Sequence, residues 1–151
     1  MKKLVISIDG PAASGKGEIA NYISRKWKFN HLDSGILYRR LALIVKEKKI
    51  DINSTKAVKK FLFKQKSISY RKHIKLRNEE ISKIASKIAI YKFVRDYVNK
   101  FQRNYVNNNK KHYKFVIDGR DIGSVVFKKA NLKLYIDVSE KNRAKRRYKQ
   151  L

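Results

Sequence analysis

The sequence predicts an α/β fold, a parallel sheet flanked by helices. Three observations carry that expectation. Four short runs, LVISID, FNHLD, YKFVID and LKLYID, alternate along the chain with longer stretches of helical periodicity. The first and third are rich in β-branched residues with little polar alternation, the pattern of strands buried on both faces. The length, 151 residues, suits one domain with one core.

Leu4 to Asp9 reads as a buried strand ending at a glycine. A helix follows from near Gly15, because Ile19, Ile23 and Trp27 recur on one face with Ala20 beside them. FNHL makes a short second strand ending at Asp33. Ser34 can cap the next helix, whose apolar positions include Leu37, Leu41, Ile44 and Val45. STKAVKKFLFK is a further short helix with Ser54 at its cap. SISYRKHIKLR, residues 67–77, alternates and suggests a short strand or ribbon. From Asn78 to about Val106 the pattern is helical, with Glu79 and Glu80 suited to the positive end of the helix dipole. NNNKKH is a polar loop between that helix and the third strand, YKFVID. LKLYID is the fourth strand, and Ser139 caps a final basic helix, KNRAKRRYKQL. No internal repeat is visible.

The chain carries 39 Lys+Arg against 12 Asp+Glu, a formal charge of +27. Such charge invites nucleic acid through counterion release. Here it spreads over the whole length and alternates with apolar residues at helical spacing, as in KAVKKFLFK, which describes solvated helix faces. No cysteine is present, so there is neither a disulfide framework nor a thiolate metal site, as suits a reducing compartment. The apolar run LVISI is shorter than the roughly 7–15 residues of a signal h-region. No run approaches the roughly 20 residues of a membrane span. A soluble, cytoplasmic protein is expected.

The chemistry starts at GPAASGKG, residues 10–17, directly after the first strand. A strand, a tight glycine turn and a helix gather backbone N–H groups around an anion at the positive end of a helix. Gly10 and Gly15 supply the backbone geometry, and Lys16 reaches the β/γ-phosphates of a nucleotide. The usual last residue is Ser or Thr, whose hydroxyl ligates Mg²⁺; Gly17 cannot do that. Alone, the loop is also compatible with a glycine-rich turn bearing a surface lysine. Two further stretches favour the phosphate reading. HLDSGILYRR places Asp33, Ser34, Tyr38 and Arg39 at the end of the second strand. VIDGRDIGSVVF places Arg120 and Asp121 just after the third. Ligands of open parallel sheets bind beyond the carboxyl ends of the strands, so all three stretches arrive at one rim.

IDGPAASGKG, LDSGILYR, the EEISKIASKIA…VRD segment and IDGRDIGSVVF…LKLYIDVSEKNRAKRRYKQL together resemble the bacterial cytidylate kinases, nucleoside-monophosphate kinases of the P-loop class. The resemblance covers most of the chain, and the DGRDIGSVVF run is its most specific part. It implies a P-loop NTPase-type sheet with four strands present and the last strand missing. It also implies one domain over 1–151, within which 34–107 form a trimmed helical acceptor-binding part. These kinases carry GKG where other P-loop proteins have GK[ST], and hold their metal through phosphates and water. Gly17 is therefore ordinary here, and no protein ligand to the metal is expected. By resemblance, Gly10, Pro11, Ala12, Ala13, Ser14, Gly15, Lys16, Gly17 and Glu18 bind ATP. Asp33, Ser34, Tyr38 and Arg39, with Ser86, Arg95, Arg120 and Asp121, bind CMP. Ser86, Arg95 and Asp121 fall on the cytosine-reading positions, and a carboxylate at 121 can accept from the cytosine N4 amine while repelling the O4 carbonyl of uracil. The implied reaction moves the ATP γ-phosphoryl group to CMP or dCMP, with Lys16, Arg39, Arg120 and Mg²⁺ supplying positive charge.

Three departures from the family pattern stand out. Glu18 replaces a Thr beside the phosphates. The stretch 64–80 is shorter than the family's acceptor-side insert. The family continues past RRYKQL with an arginine-bearing lid, a ribose-reading aspartate, a last strand and a last helix. Impaired turnover and an exposed sheet edge are the expectations. Expected partners are small-molecule nucleotides (ATP, CMP and dCMP), with neither membrane nor nucleic acid. The chain is expected as a monomer, with the sheet edge as the route to any association. The alternatives are a non-catalytic nucleotide-binding fragment and a basic nucleic-acid-binding module on the same scaffold.

Overall fold

A computed structural model of the chain describes residues 2–71, 76 and 78–150. The strands are β1 (Leu4–Asp9), β2 (Asn30–Asp33), β3 (Lys114–Gly119) and β4 (Leu132–Tyr135). They form one parallel sheet in the order β2-β3-β1-β4. The register pairs Asp9 with Gly119 and with Tyr135, and Asp33 with Asp118, so all four carboxyl ends meet at one rim. The helices are α1 (Lys16–Trp27), α2 (Ser34–Glu47), α3 (Thr55–Lys64), α4 (Glu79–Ile88), α5 (Lys92–Asn107) and α6 (Glu140–Gln150). The expected four-stranded α/β sheet is present.

By its contacts the chain divides into two units, residues 1–34 with 103–151, and residues 35–102. The first holds the sheet. The period of two along each strand sorts its apolar residues onto two faces. Val5, Leu32, Phe115 and Ile117 face Val106, Ile122 and Val126. Ile8 and Val116 face Ala20 and Ile23 of α1. The second unit is helical. Leu37, Leu41 and Val45 of α2 pack with Val58 and Phe61 of α3, Ile81, Ala85 and Ile88 of α4, and Val94 and Val98 of α5.

Several local signals act as the sequence suggests. The Ser54 hydroxyl accepts from the Ala57 amide at 3.2 Å and caps α3. Asn78 caps α4 by accepting from the Glu80 amide at 2.7 Å, with Glu79 and Glu80 in the first turn. Other expectations need correction. Trp27 is half exposed, not in the core, and its ring meets the edge of Tyr22 at 5.9 Å with the Lys26 ammonium beside both. As the last helical residue it lies beyond the sheet contact made by Ala20 and Ile23. Ser34 is the first residue of α2 itself, because the helix follows β2 without a connecting residue. The helical run from Asn78 is broken at Ala89–Tyr91. No Gly or Pro marks the break. It is held by tertiary bonds: Arg95 donates to the Ala89 and Ile90 carbonyls at 2.8 and 2.6 Å, and the Tyr91 hydroxyl donates to the Ile52 carbonyl at 2.8 Å. Residues 67–71 are not strand, and most of the rest of the suggested ribbon, 72–75 and 77, lies outside the described residues.

Candidate functional site

The loop from Gly10 to Glu18 joins β1 to α1 at the rim. A β-carbon on Gly10, at φ +157°, would lie 2.4 Å from the Ile136 carbonyl oxygen, so any side chain would push the loop off the end of β4. Gly15 takes a left-handed φ of +93° to turn the chain into α1. Ala13 is also left-handed, at φ +58°, which costs an L-residue about 1–2 kcal/mol. The loop bends through Ser14, whose amide donates to the Pro11 carbonyl at 3.4 Å. The Glu18 and Ile19 amides return to the Gly15 carbonyl at 3.1 and 3.2 Å. The amides of Ala13, Gly15 and Gly17 donate to no backbone carbonyl among the described residues. Unpaired donors at a helix N-terminus form an anion cradle.

Two cations converge on this loop. Lys16 Nζ donates to the Pro11 carbonyl at 3.0 Å. Arg146 of α6 donates through Nη1 to the Ser14 carbonyl at 3.0 Å, and would lie 3.2 Å from a β-carbon on Gly15. From the sequence, Arg146 is only one cation of a basic helix. A run of cations on an exposed helix does not say which of them reaches back 132 residues. Glu18 is exposed, so its carboxylate stands in solvent while its backbone serves the helix.

Two buried carboxylates support the rim from beneath. Asp9, at the end of β1, accepts from the Ile122 and Gly123 amides at 2.7 and 2.8 Å. It thereby anchors a single π-helical turn, Ile122–Val126, that follows β3. Asp118, near the end of β3, lies 2.6 Å through Oδ1 from His31 Nε2. Its Oδ2 would lie 3.7 Å from a β-carbon on Gly17. Neither partnership was foreseen from the sequence.

The remaining predicted residues divide between the units. In the first, Asp33 and the buried Ser34 stand at the end of β2, beside β3. Arg120 is exposed, and Asp121 begins the π turn, its carbonyl accepting from the Val125 and Val126 amides at 2.9 and 3.2 Å. In the second, Tyr38 and Arg39 lie half-buried on α2. Ser86 is exposed on α4 and donates to the Ser82 carbonyl at 3.0 Å. Arg95 donates through Nη1 to the two carbonyls just past α4, a helix C-terminal role.

Among the described residues no three His, Cys, Asp or Glu side chains gather to hold a metal. No helix of the described residues is long and apolar enough to cross a membrane.

The sequence profile of the cytidylate kinase family matches residues 6–151. The chain is 39% identical over 150 residues to proteins named cytidylate kinase from Rickettsia akari (strain Hartford) and from Rickettsia felis (strain ATCC VR-1525 / URRWXCal2). Those matches take in 99% of this chain and 66% of each relative, so the chain spans just under two thirds of their length. Among solved structures, that of TT1252 from Thermus thermophilus superimposes with a TM-score of 0.53 at 15% identity, covering 97% of this chain and 71% of that one. This likeness is one of fold.

Proposed function

The chain belongs to the cytidylate kinase family, and we propose that it binds ATP on the Gly10–Glu18 loop and transfers the γ-phosphoryl group to CMP or dCMP, giving CDP or dCDP. The observation that carries this reading is the loop itself. Among the described residues the Ala13, Gly15 and Gly17 amides are without backbone carbonyl partners at the N-terminus of α1, and Lys16 and Arg146 both bond to the same loop. Such an arrangement suits a polyphosphate through backbone dipoles and two cations, without a hydroxyl at position 17.

The acceptor is already an anionic phosphate, so the transfer needs positioning and charge neutralisation more than a general base. Lys16 would hold the triphosphate, and Arg39 and Arg120 the acceptor phosphate. Asp33, Ser34 and Tyr38 would orient the acceptor nucleotide, and Ser86, Arg95 and Asp121 would read cytosine. Mg²⁺, bound through phosphate oxygens and water, would supply further positive charge to the phosphates. Arg146 adds a cation from α6 at the Ser14 carbonyl.

A coupled kinase assay of the 151-residue chain with ATP and CMP, dCMP or UMP tests the reading. Nucleoside diphosphate should form with CMP and dCMP well ahead of UMP. Equal rates with UMP would remove the cytosine assignment. ATP binding without any transfer would leave a nucleotide-binding protein.

A further inference from the structure

We infer that Asp9 is a positioning residue for base selection: its carboxylate fixes the peptide that follows Asp121, and with it the direction from which Asp121 meets the acceptor base. The inference rests on the reading in which Asp121 recognises cytosine, and it gives a part in that recognition to a residue on another strand.

Asp9 pairs with Gly119 across β1 and β3, beside the start of the segment that carries Arg120 and Asp121. The peptide between Asp121 and Ile122 is bonded at both ends. Its carbonyl accepts from the Val125 and Val126 amides at 2.9 and 3.2 Å. Its N–H donates to Asp9 Oδ1 at 2.7 Å. A peptide is a rigid plane, so two holds on opposite edges leave it no freedom to tilt. Asp121 has φ −139° and ψ 27°, a ψ between the helical and the extended values, so its own hydrogen bonds set it. Turning that plane would turn the Asp121 side chain with it.

The second oxygen of Asp9 accepts from the Gly123 amide at 2.8 Å. Two neighbouring N–H groups need two acceptors, which a carboxylate supplies and a carboxamide does not. Gly123 lets the turn close onto it. A β-carbon there would lie 2.6 Å from the Ser7 hydroxyl and 3.3 Å from Asp9 Oδ2. Ile122 and Gly123 are buried, so water does not stand in for the carboxylate. The phosphate loop, by contrast, leaves β1 on backbone contacts. The Ile136 amide donates to the Asp9 carbonyl at 2.8 Å, and Gly10 packs on the Ile136 carbonyl. The Asp9 side chain therefore serves the turn after β3, while the start of the loop is held without it. Asp9 acts on the base through Asp121.

The test is calorimetric titration of CMP, UMP and ATP into the unaltered chain, Asp9→Ala and Asp9→Asn, each well below its thermal midpoint. Asp9→Ala should cut the preference for CMP over UMP roughly tenfold, as for one misplaced base contact. Asp9→Asn, with one acceptor left, should cut it less. ATP affinity should stay within about twofold in both variants. A carboxylate that only stabilises the fold would instead lower the folded fraction, weakening CMP, UMP and ATP together and leaving the ratio unchanged. An unchanged CMP-to-UMP ratio in Asp9→Ala, or an ATP affinity that falls as far as that for CMP, overturns the inference and leaves the kinase reading standing. No preference for CMP in the unaltered chain removes the cytosine assignment and the inference together. Should Asp9→Ala not fold, hydrogen exchange at the Ile122 and Gly123 amides of the unaltered chain decides. Slow exchange before CMP is added supports a preset turn, and exchange at the rate of an open loop overturns it.

Discussion

Removing the Asp9 carboxylate should unlatch the segment that carries Arg120 and Asp121. Asp9 is 8% exposed and its two oxygens accept from the Ile122 and Gly123 amides at 2.7 and 2.8 Å. Ile122 and Gly123 are themselves buried. In Asp9→Ala those two amides lose their acceptor in a place where water does not reach without opening the turn. Hydrogen bonds to a charged acceptor contribute about 1.5–3 kcal/mol each. Two of them make roughly 3–6 kcal/mol, reduced toward about 3–4 by the relief of no longer burying a carboxylate. Set against a total stability of about 5–15 kcal/mol, that is a severe loss. It corresponds to a fall in melting temperature on the order of 10 °C. Asp9→Asn keeps one acceptor oxygen and turns an amide toward the second N–H, so it should fall between. Urea unfolding followed by far-ultraviolet circular dichroism reads the difference. An Asp9→Ala variant within about 0.5 kcal/mol of the parent, the scatter of an ordinary surface change, would refute the latch.

Ala13 sits at φ +58°, and Ala13→Gly should therefore raise stability by about 0.5–1 kcal/mol in the same unfolding measurement, the relief exceeding the added chain entropy of glycine. Glu18→Thr should tighten ATP binding a few-fold in low salt and less in high salt, because the exposed carboxylate acts on the phosphates only through solvent. Asp121→Ala should reduce the preference for CMP over UMP by about 1–3 kcal/mol, measured as the ratio of their dissociation constants. An unchanged ratio would place base reading on other residues.

The sheet was legible because each strand announces itself locally. Val5, Ile8, Phe115 and Ile117 belong to runs whose residue types fit only a pleated, buried segment, and the parallel order follows from helices between them. The phosphate loop was legible for the same reason, since Gly10 and Gly15 occupy positions where a side chain would collide or strain. What stayed hidden depends on partners distant in sequence. His31 and Asp118 are 87 residues apart, Asp9 and Ile122 are 113, and Arg146 and Ser14 are 132. No periodicity records such pairs. The turn at Ala89–Tyr91 was invisible because its apolar pattern runs on through Tyr91 and Val94, and the break is held by the Arg95 side chain instead of a glycine. Helical spacing puts Trp27 on the face of Ile19 and Ile23 but does not mark the residue at which that face leaves the sheet, and Trp27 is exposed.

Calorimetric titration of ATP into the unaltered chain and into Lys16→Ala decides whether the Gly10–Glu18 loop holds a nucleoside triphosphate. Saturable one-to-one binding by the unaltered chain is expected, weakened by about tenfold or more when the Lys16 charge is removed. Absence of binding by the unaltered chain, or equal affinity in Lys16→Ala, would contradict it.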